Sequence, residues 1–105
     1  MNYDENCFKE ICFLLGLSQK QIDYSKMVLN QMEVKGIITI EEIRQFGEIF
    51  PGSIGILSKT LSLDLSQTYY DLNHRQIYYK DNIDSFLKTM LKTYKGWKNA
   101  RETIR

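Results

Sequence analysis

The thirty residues from 36 to 65, GIITIEEIRQFGEIFPGSIGILSKTLSLDL, leave this chain few ways to fold. They read as a short β-branched segment at Ile37-Ile38, a capped helix, a Pro51-Gly52 break and a second helix. Thr39-Ile40-Glu41-Glu42 has the spacing of a capping box, which makes Thr39 the expected N-cap of a helix running through Ile49. Ile43, Phe46 and Phe50 fall at helical spacing and define its inner face. Pro51 cannot continue that helix, and Ser53 is placed to cap the next one, with Ile54, Leu57 and Leu61 on the buried side.

Upstream, Phe8, Ile11, Cys12 and Leu15 recur at i, i+3, i+4 and i+7, so residues 6–15 are expected to form an amphipathic helix. Asp4 or Asn2 can cap its start, and Gly16 suits a left-handed stop. Leu14 widens the stripe, which implies more than one packing neighbour. Ser18-Gln19-Lys20-Gln21 is another capping box. The helix it opens should reach about Val34, with Ile22, Ser25, Val28, Leu29 and Met32 inward and Gly36 ending it. Met27 and Met32 are expected to fill core space.

Residues 68–79, TYYDLNHRQIYY, are rich in aromatic and β-branched side chains, and Asn73 tolerates the backbone of a tight turn. They are expected to form a hairpin turning at Asn73-His74, with Tyr70 opposite Ile77; a continuous helix is the alternative. From about Asn82 a last helix carries Ile83, Leu87, Met90, Tyr94, Trp97, Arg101 and Ile104 in alternating steps of four and three, a heptad seam. Gly96 interrupts it, which asks for something to pack there. The seam can dock on the rest of the domain or on its copy in a homodimer.

One hundred and five residues allow one domain with one core. The expected organisation is an N-terminal helix at 1–16, a core at 18–80 and a basic amphipathic helix at 82–105. The longest apolar run, Ile11 to Leu17, is too short to span a bilayer, and the first residues are acidic where a leader would be basic. A cytoplasmic protein is expected, with no membrane partner.

Charge is uneven although the net charge is only +1. Residues 1–50 hold five Lys/Arg against eight Asp/Glu, and residues 85–105 hold six against one. A basic tail of this kind suits a polyanion or a solvated helix face.

Catalysis and metal binding find little support. His74 stands alone, and no phosphate loop or paired nucleophile and base is present. Cys7 and Cys12 lie five residues apart, on different sides of one helix, and read as buried free thiols. Glu41 and Glu42 read as first-turn charges favoured by the helix dipole. Neither a metal nor a cofactor is expected.

The order from Ser18 onward (helix, short strand, helix, turn, helix, hairpin) resembles the winged helix-turn-helix family over residues 18–80. The resemblance implies a mainly α fold with a winged-helix-like core, a small β-hairpin and a long C-terminal helix. It also implies nucleic-acid binding, most naturally to double-stranded DNA, in a regulator of transcription or replication. The residues it would use are Lys59, Ser62, His74, Arg75, Tyr78 and Lys80, with Lys88, Lys92 and Lys95 supplying phosphate contacts. Tyr69 and Tyr78 could stack on exposed bases. This expectation stands or falls with the hairpin.

With Ile54, Leu57 and Leu61 buried, the outward face of the second helix of the motif would be Gly55, Ile56, Lys59, Thr60, Ser62 and Leu63. That face lacks the Arg, Asn or Gln forks that read bases. It suits instead a protein-interaction module (an adapter, complex subunit or inhibitor) using Ile56 and Leu63 together with Leu87, Met90, Tyr94 and Trp97. Residues 31–42 also resemble an EF-hand loop, with Gly36 at its sharp turn, Ile38 at the central β position and Glu42 last. Its calcium chemistry is absent: Gln31 replaces the first carboxylate, Lys35 puts a cation where an oxygen belongs, and no second loop is legible.

Overall fold

A computed structural model describes residues 3–104, with side chains as far as residue 100. Asn2 as an alternative cap, and the side chains of Arg101, Ile104 and Arg105, lie outside what is described. Among the described residues six helices follow one another: α1 Glu5–Leu15, α2 Gln19–Lys35, α3 Ile40–Ile49, α4 Ser53–Leu61, α5 Leu65–Asn73 and α6 Tyr79–Ile104. The mainly α expectation holds.

Local chemistry sets most of these boundaries. The Asp4 carboxylate accepts from the Cys7 N–H, and the Ser18–Gln21 box has both of its reciprocal bonds. Gly36 closes α2 at φ +76, a conformation that other residues adopt only with strain. Thr39 does stand at the N-cap of α3, but its hydroxyl donates to Glu42 Oε2 at 2.7 Å instead of capping a backbone N–H. Ser53 likewise is not the cap of α4. Gly52 holds that position, and the Ser53 hydroxyl donates back to the Phe50 carbonyl at 2.6 Å.

The hairpin expected over residues 68–79 is absent, and no strand is present among the described residues. Residues 68–73 belong to α5, followed by a turn into α6. The reason is local. Asp64 caps the helix by accepting from the Gln67 N–H at 2.7 Å, and the Gln67 amide bonds Asp71 one turn on at 2.7 Å. Thr68 and Leu72, four apart, are the buried positions. Tyr69 and Tyr70 stay on the wet side, where aromatic β-propensity has no pleated surface to satisfy.

The Ile37-Ile38 segment does pair, although not within a sheet. It forms one antiparallel bridge with the turn before α6: the Ile38 N–H donates to Ile77 at 2.8 Å, and the Tyr79 N–H to Gly36 at 3.1 Å. Two helix–loop–helix units, α2–α3 and α5–α6, are thereby tied loop to loop. Arg75 takes the left-handed backbone at φ +55 in the second loop as Gly36 does in the first, and Ile77 and Ile38, each two residues on, are both buried.

The core is aromatic at its centre. Phe46 stacks on Phe50 at 4.3 Å between ring centroids and tilts onto Phe86 at 5.9 Å, while Phe50 meets Phe8 at 6.0 Å. Helix α6 runs through the assembly, packing on α1 and α4, with Ile83, Phe86, Leu87, Met90 and Tyr94 buried. Asp4 bonds to Asp84 and Glu10 pairs with Lys95, so α1 and α6 lie parallel. Nothing packs at Gly96, contrary to expectation: a Cβ built there meets no atom within 4 Å. Met27, expected in the core, is exposed. Among the described residues no helix is long and apolar enough to cross a membrane.

Candidate functional site

Helix α1 packs mainly on α6 and leaves a groove between itself and the start of α2. Phe8, Cys12, Phe13, Leu17 and Ile22 supply its apolar surface, and the groove encloses about 440 Å³. Phe13 stands beside it with 86% of its surface exposed. Lys9 and Lys26 flank the apolar floor from opposite helices, and neither has an ion-pair partner among the described residues. The floor is mostly carbon, and its edges are positive.

The geometry follows from the local sequence. The run from Ile11 to Leu17 is apolar on every side of the helix except at Gly16, so one helix cannot bury all of it. Ile11 and Cys12 go to the core, Leu14 and Leu15 are half-buried, and Phe13 is left pointing outward. Burial pushes the Cys12 thiol up to about 11, with the nearby Lys26 charge pulling the other way. Cys7 is also raised, first by burial and then by Asp4 and Glu10. Both are free thiols held protonated at neutral pH, which suits packing and not nucleophilic chemistry.

The residues expected to touch nucleic acid are dispersed. Lys59 and Ser62 sit at the C-terminal end of α4, where Ser62 takes a left-handed backbone at φ +56. His74 and Arg75 lie in the α5–α6 turn. The His74 ring stacks on Tyr70 at 3.9 Å, and its Nδ1 lies 2.7 Å from the Tyr70 carbonyl, which requires the proton on Nδ1. Arg75 shares a small cavity with Lys35, Thr39, Glu41 and Asn73, while Lys80 lines another with Glu33, Gly36 and Tyr79. Tyr78 is exposed at the bridge, and Tyr69 lines a cavity with Ile40, Ile43 and Ile54. Only Lys88, Lys92 and Lys95 are brought together, along one shallow groove of α6 with Leu91, Gly96 and Asn99.

The residues expected at a protein interface are mostly used internally. Ile56 is 4% exposed, which overturns its placement on an outward face, and Leu63 is half-buried. Helix α4 touches α3, α5 and α6, so its buried arc is wider than one stripe and takes in Ser53, Ile56, Leu57 and Ser58. The Ser58 hydroxyl is satisfied by Thr68 at 2.9 Å. Leu87, Met90 and Tyr94 belong to the chain's own core, and the Tyr94 hydroxyl donates to the Pro51 carbonyl at 2.8 Å. Trp97 is half exposed and leans on Tyr94, with its ring next to Gly52.

Among the described residues no three His, Cys, Asp or Glu side chains are placed to hold a metal ion. The loop that resembles a calcium site holds a cation of its own, because Lys35 sits against the terminal Glu42. Neither a protein-family model, a curated protein nor a solved structure matches this chain.

Proposed function

We propose that this chain is a non-catalytic protein-binding domain, whose α1–α2 groove receives an apolar segment flanked by acidic side chains. The observation that carries the reading is Phe13, an aromatic ring almost fully in water beside a groove already floored by Phe8, Cys12, Leu17 and Ile22. A large exposed aromatic next to a contiguous apolar surface marks a place that another molecule covers. Lys9 and Lys26 on opposite rims, without an ion-pair partner among the described residues, favour an occupant with apolar residues on one face and carboxylates on its flanks. A partner helix with anchors at i, i+3, i+4 and i+7 has that form. An adapter, complex subunit or inhibitor would use such a surface.

The DNA-regulator reading loses the wing on which it rested. What remains of its charge is the α6 stripe.

The test is a fluorescence titration with a labelled amphipathic helical peptide carrying leucine anchors and flanking glutamates. Phe13→Asp should weaken binding by at least about 30-fold, the effect of removing a central aromatic anchor. The same peptide with lysine flanks should bind less tightly than the glutamate form. Equal binding by wild type and the Phe13→Asp variant sinks the reading.

A further inference from the structure

We infer that the exposed face of α6 bearing Lys88, Lys92 and Lys95 is a separate, sequence-independent binding surface for the phosphate backbone of a nucleic-acid duplex. The three ammonium groups stand at i, i+4 and i+7 on one side of the helix, a row about 10 Å long. Residues 85–100 contain no Asp or Glu; among the described residues the row is flanked by Asp84, one turn before Lys88 on α6, and by Glu10 of α1. Asp84 accepts from the Asp4 N–H at 2.8 Å, and Glu10 pairs with Lys95 at 3.0 Å, both side chains of that pair being more than half exposed. Between the lysines the surface drops to Leu91 and to Gly96, where no side chain fills the space above the backbone. An extended, charged chain can approach closely along this line.

The chemistry of the face selects among polyanions. It holds no arginine fork and no aromatic ring, so it lacks the means to read base edges or stack on unpaired bases. It holds no protruding apolar anchor either: Leu91 is half-buried, and Trp97 leans toward Gly52 and Tyr94. A bilayer surface would require such an anchor. Duplex backbone, with its dense and regular charge, is the occupant a bare lysine row fits. Glu10 acts as a built-in competitor, because Lys95 must leave it to meet a phosphate.

The test uses the full chain and a fluorescein-labelled mixed-sequence duplex of about 20 base pairs, titrated between about 25 and 200 mM NaCl. Three displaced phosphate counterions give a slope of log affinity against log salt of about −2.7, and Lys92→Ala should flatten it to about −1.8. Lys20→Ala, on α2, should leave the slope unchanged. Glu10→Gln should tighten binding by about two-fold or more by releasing Lys95, whereas Glu48→Gln on α3 should have no such effect. Circular dichroism confirms that each variant is folded. Absence of binding at the lowest salt, or an unaltered slope in folded Lys92→Ala, overturns the inference. So does a Glu10→Gln variant no tighter than Glu48→Gln. Equal or better binding to phosphatidylserine vesicles or to polyglutamate also overturns it, by assigning the row to another partner.

Discussion

Lys35 places its ammonium 2.9 Å from Oε1 of Glu42, a carboxylate whose side chain is only 2% exposed. The contact is ionic and lies off the direction of a good hydrogen bond, while Oε2 accepts from the Thr39 hydroxyl. The chain thus supplies its own cation at the loop joining α2 and α3. Removing one partner of a buried pair strands the other charge. Because Lys35 is itself 43% exposed, water can reach part of the gap. Lys35→Met should therefore destabilise the fold by about 1–2 kcal/mol, less than the 3–5 of a fully buried pair. Urea unfolding of Lys35→Met, Glu42→Gln and the double variant checks this. The double variant should be more stable than the sum of the single losses implies, since it leaves no unpaired charge.

Gly96 lies inside α6, exposed, with no atom near the space a Cβ would take. Nothing in the fold uses its missing side chain. Gly96→Ala should raise stability by about 1 kcal/mol through helix propensity alone, read as a higher urea midpoint. A loss of stability would mean that this part of α6 is not a regular helix.

The elements easiest to read in the sequence were those fixed by local chemistry. The Ser18–Gln21 box and the glycine stops bound real helices, and Ile43, Phe46 and Phe50 point inward as their spacing requires. Two things were harder. In α5, tyrosine content suggested strands, but Asp64, Gln67 and Asp71 had already written a capped helix in polar residues. In α4, one stripe was assigned where three neighbours bury a wider arc, which moved Ile56 from surface to core. The candidate groove had a signal that passed unused. An apolar run of the kind at 11–17 had to leave a face uncovered, yet which residue it exposes depends on where α6 lies. Likewise the cation noted at Lys35 was legible, but its meeting with Glu42 needed the loop's closure.

Cys12 makes stability depend on pH at the alkaline end. Its thiol ordinarily ionises at 9.0, and burial raises it to about 11 in the folded chain. The unfolded chain therefore loses the proton first, so this contribution is complete below pH 9 and is lost as pH climbs toward 11. Tyr79 and Tyr94 are raised by burial in the same sense and add to the loss above their ordinary value of 10.0. The urea midpoint should fall steadily from pH 9 upward, and Cys12→Ser should fall less over the interval from 9 to 11. A midpoint as steep in Cys12→Ser as in wild type would remove the thiol from this account.

Phe8 and Phe13 lie on the same helix and should behave oppositely. Phe8 is 1% exposed and meets Phe50 and Tyr3, so Phe8→Ala opens a cavity at the aromatic centre and should cost about 3–5 kcal/mol. Phe13 is 86% exposed, so Phe13→Ala should change stability by no more than about 0.5 kcal/mol. The same substitution should weaken capture of the acidic amphipathic peptide, because it removes apolar surface that the fold does not use. Stability that drops substantially in Phe13→Ala would mean the ring packs on its own chain, and the groove would then need no partner to cover it.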